Sequence, residues 1–494
     1  MAGIGFRFRE LADSGSYMGA IKSYVFSSIF AAGPWILTMA TISTLNALAP
    51  PEISGDTLLA FRALLSYIFA FSLILTGTFQ LAIVRYIADK IFDKDQEELL
   101  SLFIGSSFFF ALISIAAGGI FFSYGTAEPD VKLLATMLFC VICLTWNGMA
   151  FLTAIKDYKF IIFVFTSGTI ASISLCAYLK NYYGLKGYLI GFFLGQLYVF
   201  SGITAEITRE FFTRKGVTYY FFDYFRSYSV LVFSGLAYNL GIWIDKFVIW
   251  NSSHHQVYLG NLKICGVYDL AVFVSYLSII PSLGYFFVRV ETDFYDLYRA
   301  YFASIASKEC FSKIEERKND IVKAVDESIM SLVKIQGTIT LLCYLNADII
   351  IKRFGGGNEL LCAPIYKMAI IGVFFHVLFM FITIFMMYFE FYRALLSANL
   401  IFLILNGTLT YIAVINGYNL ASGYAAASAA SFVFSFLAFK YCIKDLLFYT
   451  FVNQPITPAL EEKAIFDSFK ALEAAGVRNA CKDDALKGVN IDDI

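Results

Sequence analysis

The sequence predicts an all-α polytopic membrane protein with twelve transmembrane helices. Of its 494 residues, 59% are hydrophobic and only 15% are charged, and the mean hydropathy is +0.70. Soluble domains carry about 25% charged residues. Apolar runs of about 20 residues, the length that crosses the hydrocarbon core, recur between charged or Gly/Pro-rich breaks. The net charge of −1 gives no general attraction to nucleic acid, so no nucleic-acid partner is expected.

The apolar runs place the spans along the whole chain. They cover residues 23–49, 63–84, 100–124, 133–153, 160–179, 187–206, 228–250, 268–288, 331–351, 365–389, 394–415 and 421–443. The first run is longer than the apolar region of a signal peptide, so it is predicted to remain as the first membrane helix. The ninth is the least regular, since Lys334 and Asp348 lie near its ends.

Basic residues orient these spans, because Lys and Arg are enriched in cytoplasmic loops. With the N-terminus inside, 28 of the 37 basic residues fall on the cytoplasmic side and eight on the opposite side, which leaves Lys246 within a span. Both termini are therefore predicted to be cytoplasmic. We call the side that is predicted to be cytoplasmic the inner side and the opposite side the outer side.

The same spacing predicts the domain organisation. It comprises a cytoplasmic N-terminal segment (1–22), an N-terminal half (23–206), a cytoplasmic linker (207–227), a C-terminal half (228–450) with a cytoplasmic helical insertion (292–330), and a cytoplasmic tail (451–494). Apolar residues recur at helical spacing through the insertion, at Phe294, Leu297, Tyr301, Ile305, Ile314, Ile321, Val325 and Ile329. Such amphipathic helices either cap the inner face of the protein itself or dock a cytoplasmic partner.

Metal chemistry and cofactors are not expected. The three histidines, His254, His255 and His376, are too few and too scattered for a metal site. Most of the nine cysteines lie in apolar runs, as Cys140 and Cys143 do, and are predicted to pack as small apolar residues. We predict that the protein is not an enzyme.

The seventh span carries an acid and a base side by side, in GLAYNLGIWIDKFVIW (235–250). An ionisable side chain in hydrocarbon is costly and marks a functional candidate. Neighbouring helical residues project about 100° apart, so Asp245 and Lys246 are expected to have separate partners. One stripe of this helix holds Asn239, Trp243, Lys246 and Trp250, and the adjacent stripe holds Tyr238, Gly241 and Asp245.

Two interpretations of the first stripe stay open. In one, the amide and the ammonium bind sugar hydroxyls while Trp243 and Trp250 offer flat faces to sugar rings, so that the stripe and Tyr238 line a substrate path. In the other, both indoles belong to the outer aromatic belt and Lys246 extends to the headgroups. Asp245 is too short to reach them, so it is expected to pair with a buried cation or to bind a coupling H⁺ or Na⁺.

Two further groups are candidates for moving parts. Gly33 and Pro34 interrupt the first span and predict a hinge, with Trp35 beside it as a further path residue; a static kink is the alternative. A charged cluster at the inner mouth of the eighth span is a candidate gate between the halves, or a solvated face: Arg289, Glu291, Asp293, Asp296 and Arg299.

Three motifs resemble the PelG family of inner-membrane proteins in Pel exopolysaccharide export. They are MAGIGF followed by SSIFAAGPWILTM near the N-terminus, GLAYNLGIWIDKFVIW at the seventh span, and FVRVETDFYDLYRAYF after the eighth. The twelve-span layout is similar to that of the multidrug/oligosaccharidyl-lipid/polysaccharide (MOP) exporter superfamily. The resemblance implies two six-helix lobes and export of a Pel-like polysaccharide for biofilm matrix from the cytoplasm to the periplasm of a bacterium. It also implies as partners a cytoplasmic glycosyltransferase and membrane subunits responsive to cyclic di-GMP.

Three other functions remain as alternatives. A flippase of lipid-linked oligosaccharides would need cationic residues at mid-depth for the pyrophosphate, and Lys246 is almost alone there. An ion-driven drug antiporter would use an intramembrane carboxylate, which Asp245 keeps open. A membrane-embedded glycosyltransferase would need a large soluble catalytic domain, and none is predicted.

Overall fold

The computed structural model shows a predominantly helical chain. It describes residues 9–13, 18–19, 21–28, 41, 44, 55–93, 95–152, 154–155, 158–213, 216, 219–354 and 359–452. Residues 1–442 form one compact unit, and residues 443–494 form a second, of which 443–452 are described. Within these ranges, ten helices are long and apolar enough to cross a membrane. The chain is therefore an all-α polytopic membrane protein, as predicted.

Four long helices build the N-terminal half. They are α1 (Gly55–Phe92), α2 (Glu97–Ser123), α3 (Pro129–Leu152) and α4 (Tyr158–Glu210). Helix α3 packs against the other three. The predicted first span is helical over 23–28, and most of its remaining residues lie outside the described ranges.

Helix α4 is a hairpin of two antiparallel helices that meet at Gly184. Its 53 residues would extend for about 80 Å as one helix, far beyond a hydrocarbon core of about 30 Å. Gly184 has φ 53° and ψ −123°, a conformation open to glycine. A Cβ on Gly187 would lie 2.2 Å from the Leu179 carbonyl, and one on Gly195 would lie 1.8 Å from Ser172 Oγ. The returning helix therefore packs on the first one, and α4 holds the fifth and sixth predicted spans.

The C-terminal half and the segment that follows contain the remaining elements. They are α5 (Phe221–Ser227), α6 (Ser229–Trp250), β1 (Gln256–Tyr258), β2 (Leu262–Ile264), α7 (Gly266–Tyr276), α8 (Ile280–Tyr285), α9 (Glu291–Ala306), α10 (Phe311–Leu345), α11 (Ala347–Phe354), α12 (Glu359–Tyr388), α13 (Tyr392–Ile415), α14 (Ser422–Lys444) and α15 (Leu446–Val452). The two strands pair antiparallel, with Val257 opposite Lys263. Each predicted span from residue 63 onward falls in one helix or in a run of helices.

The eighth span is a run of helices and not a single one. A 3₁₀ turn (Leu277–Ile279) separates α7 from α8, and a π-helical segment (Phe286–Val290) joins α8 to α9. Pro281 lies at the start of α8, where it lacks an N–H for the preceding turn. These departures bend the span without ending it, a pattern that often accompanies functional sites.

The structure corrects the boundaries around the ninth span. Helix α10 runs unbroken through residue 330, where the cytoplasmic insertion was predicted to end, so the insertion and the ninth span share one helix. The ninth span also does not continue to 351 as predicted, because α10 ends at Leu345 and α11 starts at Ala347. Continuous helical periodicity conceals such junctions, since both segments have the same 3.6-residue repeat.

The amphipathic pattern of the insertion is confirmed. The predicted apolar positions of α10 are all buried, at Ile314, Ile321, Val325 and Ile329. In α9, Phe294 and Tyr301 are buried, while Leu297 and Ile305 are half-buried. Lys440 of α14 forms an ion pair with Asp326 of α10. The apolar face thus covers the inner face of the protein itself, while the opposite face of α10, including Glu315, Glu316 and Arg317, is exposed.

The two halves meet where α1 packs against α6. A Cβ on Gly235 would lie 2.3 Å from the Gly77 carbonyl, and one on Gly77 would lie 2.2 Å from Asn239 Nδ2. These glycines let the two backbones approach closely, as small residues do at helix interfaces in membranes. On another side of α6, Asn399 Nδ2 of α13 donates to Ser234 Oγ at 2.8 Å. Helix α6 is consequently packed between the N-terminal half and α13.

We expect Gly191→Val to destabilise the α4 hairpin. A Cβ at Gly191 would lie 2.5 Å from the Cys176 backbone nitrogen, and because backbone cannot rotate away, overpacking of this kind costs about 1–3 kcal/mol. The midpoint of thermal unfolding in detergent should fall. Gly119→Val in α2 is the matched control, since a Cβ there meets nothing within 4 Å; equal midpoints for both variants would contradict the hairpin packing.

Candidate functional site

Asp245 and Lys246 form a buried ion pair with each other. Lys246 Nζ lies 3.1 Å from Asp245 Oδ2 and 3.3 Å from Oδ1, and the two residues are 0% and 8% exposed. The prediction that adjacent residues must have separate partners was wrong. The backbone directions do diverge, but the four-carbon lysine side chain folds back across the gap. The buried cation expected for Asp245 is thus its own neighbour.

Aromatic residues of the C-terminal half complete the surroundings of this pair. Tyr268 of α7 is fully buried and donates a 2.5 Å hydrogen bond to Asp245 Oδ2. Lys246 Nζ donates to the Ile242 carbonyl at 3.0 Å and lies 5.4 Å and 5.8 Å from the ring centres of Trp243 and Tyr276. Aromatic faces attract cations at such distances. Lys246 therefore does not extend to the headgroups, which removes that interpretation.

Trp250 is a buried anchor at the outer end of α6. It is 2% exposed, and its Nε1 donates to both carboxylate oxygens of Asp269 at 3.0 Å. Its ring stacks on Tyr67 of α1, with centroids 4.8 Å apart. The aromatic-belt interpretation therefore fails for Trp250 as well, because its ring packs between the two halves.

The other predicted path residues of α6 face different neighbours. Asn239 lies against Gly77 of α1 and donates to the Gly235 carbonyl at 2.8 Å. Tyr238 stacks with His376 and Phe379 of α12, with centroids 6.1 Å and 6.3 Å apart. The helix thus presents polar groups to both halves, and whether they contact substrate stays a prediction. Gly33, Pro34 and Trp35, the predicted hinge and its neighbour, lie outside the described residues.

Three of the five predicted gate residues form ion pairs with the N-terminal segment. Arg289 donates to Asp13 at 2.7 Å, while Arg9 lies 3.3 Å from Asp293 and 3.0 Å from Asp296. The cluster at the inner mouth is therefore a set of contacts between the N-terminal segment and the C-terminal half. Of the other two, Arg299 is exposed and Glu291 begins α9.

A second inner contact between the halves was missed by the sequence analysis. Arg85 of α1 pairs with Glu390, which lies 305 positions away between α12 and α13, and donates to the Tyr392 hydroxyl at 3.2 Å. Glu390 has φ 58° because it ends α12 in a left-handed cap, in which the Phe391 N–H donates to the Met386 carbonyl at 2.9 Å and the Glu390 N–H to the Met387 carbonyl at 3.1 Å. The charges flanking both spans were visible in the sequence, but no local pattern joins them.

Neighbouring groups orient the Arg85 guanidinium. Its Nε lies 3.1 Å from Asp89 Oδ1, and Tyr224 donates to Asp89 Oδ2 at 3.3 Å. Burial raises the pKa of Tyr224 to about 12, so its hydroxyl stays protonated and can donate this hydrogen bond even in alkaline solution where an ordinary tyrosine ionises. We call Arg85, Asp89, Glu390 and Tyr392 the inner clamp.

The hairpin of β1 and β2, which the sequence analysis also missed, joins the halves at the outer end. Tyr67 of α1 donates to the Lys263 carbonyl at 2.9 Å and accepts from the Lys263 N–H at 3.1 Å. The Thr126 N–H donates to the Leu259 carbonyl at 3.1 Å. Gly260 at the hairpin turn has φ 79°. A glycine between two short strands is the sequence signal for such a turn. The two halves are therefore in contact at both ends.

The comparisons with known proteins agree with this architecture. Residues 1–451 match the model of the PelG family, described as "Putative exopolysaccharide Exporter (EPS-E)". No curated protein matches the chain in sequence. A MOP superfamily transporter from Pyrococcus furiosus is similar in structure at 15% identity and TM-score 0.62, covering 89% of this chain and 98% of that one.

Two further structures have the same fold. The inward-facing conformation of a multidrug resistance MATE family transporter of the MOP superfamily is 13% identical with TM-score 0.58, covering 90% of this chain and 98% of that one. A MATE protein in the straight conformation is 14% identical with TM-score 0.61, covering 89% and 99%. The chain therefore has the fold of MOP superfamily transporters, which confirms the predicted fold class.

We expect Arg85 and Glu390 to be energetically coupled. In a double-mutant cycle, Arg85→Met and Glu390→Gln should each lower the free energy of unfolding, and the double variant should lose about 0.5–1 kcal/mol less than the sum, as partly exposed pairs do. Lys323 and Glu327 of α10 are the control pair, 3.9 Å apart and largely exposed, with coupling near zero expected. If the losses in the free energy of unfolding are additive, Arg85 and Glu390 do not stabilise the contact between the halves through their interaction.

Proposed function

Because the chain belongs to the PelG family, we propose that it exports a Pel-type exopolysaccharide across the inner membrane of a bacterium, from cytoplasm to periplasm, for the biofilm matrix. The observation that carries this proposal is the match of one exporter family over residues 1–451, together with a transporter fold over 89% of the chain. The protein performs no covalent chemistry in this proposal. Synthesis belongs to a separate glycosyltransferase, and this chain provides passage.

The contacts between the halves support a moving passage. Transporters with two related halves give alternating access by rocking of one half against the other. Here the halves meet along α1 and α6, through the inner clamp, and through the outer hairpin. Release of the inner contacts admits the polymer, and release of the outer ones lets it leave. Helix α6 lies at this boundary, so Asn239 and Trp250 are placed where the opening halves would separate.

The partners we propose are a cytoplasmic glycosyltransferase and membrane subunits that respond to cyclic di-GMP. The inner face offers one surface for docking, the exposed charged side of α10 that includes Glu315, Glu316 and Arg317. Its apolar side is already buried against the protein, so docking there would use charge complementarity. A direct handover from synthesis would push the growing chain into the passage.

The arrangement of charges disfavours the two rival transport functions. A pyrophosphate-bearing lipid needs a free cation at mid-depth, whereas Lys246 is paired with Asp245. An ion-driven drug antiporter needs an available carboxylate, and both oxygens of Asp245 have donors. Polysaccharide export requires neither group to be free.

We expect Asp245→Asn and Lys246→Met each to reduce polysaccharide export several-fold. Each variant leaves one buried group without its charged partner, a loss of about 3–5 kcal/mol for a buried pair. The measurement is secreted polymer per amount of membrane-inserted protein. Lys367→Met is the control, since its pair with Asp348 is partly exposed. Wild-type export in both variants would remove the pair from the mechanism.

We also expect charge reversal of Glu315, Glu316 and Arg317 to weaken co-purification with the cytoplasmic glycosyltransferase. The thermal midpoint should not change, because the buried face of α10 is untouched. Lys352→Glu with Arg353→Glu, at the exposed end of α11, provides a control on the predicted outer side. If co-purification is unchanged by the α10 reversals, that segment only caps the protein's own inner face.

A further inference from the structure

We propose that the Lys246 ammonium is the permanent counter-ion of Asp245, so that this carboxylate does not bind free Na⁺. One consequence rests on the proposed function: polysaccharide export does not use Na⁺ binding at Asp245, the fully buried carboxylate of α6. The ion specificity of Asp245 itself does not depend on that function. Lys246 is thereby a positioning residue that determines ion specificity, a role that no comparison assigns to it.

The first support is the state of the carboxylate. Oδ2 of Asp245 accepts from the Tyr268 hydroxyl at 2.5 Å and from Lys246 Nζ at 3.1 Å, and Oδ1 faces Lys246 Nζ at 3.3 Å. The residue is 0% exposed. A free cation would have to approach these oxygens beside a fixed ammonium, where the two positive charges repel strongly in a medium of low dielectric. The lysine therefore fills the position that Na⁺ would need.

The second support is that the surroundings are shaped as a cation site. Lys246 Nζ contacts one carboxylate and the Ile242 carbonyl, and it lies against the faces of Trp243 and Tyr276. An ammonium has three donors and no acceptor, and the carbonyl and the two carboxylate oxygens give them acceptors. The cation of this site is covalently attached through the lysine side chain, and so it cannot dissociate.

The third support is that the neighbouring carboxylate has donors of its own. Asp269 accepts from Trp250 Nε1 at 3.0 Å and from the Cys265 N–H at 3.2 Å, and it interacts electrostatically with Arg62 of α1. Lys246 also interacts with Asp269 electrostatically, but its hydrogen bonds go to Asp245 and to the Ile242 carbonyl. In the ranges that the structure describes, no group of three or more His, Cys, Asp or Glu could hold a metal ion.

The test compares thermal unfolding of the full-length purified protein in NaCl and in choline chloride of equal concentration. A ligand that binds the folded state raises the midpoint. The wild type should have the same midpoint in both salts. Lys246→Met exposes the carboxylate to a free cation, so its midpoint should be higher in NaCl than in choline chloride. The double variant Asp245→Asn/Lys246→Met should lose that difference, and Lys367→Met, at an exposed pair, should not gain one.

Two results would overturn the proposal. One is a higher wild-type midpoint in NaCl that disappears in Asp245→Asn, because the carboxylate would then bind Na⁺ despite the lysine. The other is a folded Lys246→Met protein with no Na⁺ response. If that variant does not fold, Lys246→Gln replaces it, and the wild-type comparison stands without any variant. The readout involves no polysaccharide, so its failure leaves the export proposal to its own test.

Discussion

The low dielectric of the hydrocarbon core is the constraint on which the rest of this structure depends. A charge placed there must find its partner within the chain, and the Asp245–Lys246 pair meets that demand with two adjacent residues and the Tyr268 hydroxyl. Because the Tyr268 hydrogen bond comes from α7, the pair also fixes α6 against α7 within the C-terminal half. The same helix meets α1 through Gly77 and Gly235.

The contacts at the two ends of the bundle differ in kind. The inner ones are ion pairs between partly exposed side chains, such as Arg9 with Asp296 and Arg85 with Glu390, and each such pair stabilises by about 1 kcal/mol or less. The outer ones combine backbone hydrogen bonds of the hairpin with the stacked rings of Tyr67 and Trp250. Ion pairs of this kind exchange readily for water, so the inner contacts are individually weaker than the outer ones.

Export of a long polymer places a different demand on this fold than transport of a small solute. Full closure around the substrate would pinch the chain, so in the proposed function the driving force comes from synthesis and not from repeated ion binding. A carboxylate neutralised by Lys246 agrees with a driving force of this kind, because the charged pair of α6 is complete without a bound ion. The exposed face of α10 lies on the side that is predicted to be cytoplasmic.

The sequence by itself determined the membrane class, the apolar runs that form the described helices from residue 63 onward and the buried face of α10, and it predicts their orientation. These properties are recorded locally, in the length of apolar runs, in Lys and Arg counts, and in positions such as Ile314 and Ile321. Only the tertiary structure decided the partner of Asp245, because side-chain torsions of the lysine, and not helical angles, set it. It also joined Arg85 to Glu390 across 305 positions, since the approach of distant segments depends on how whole helices pack.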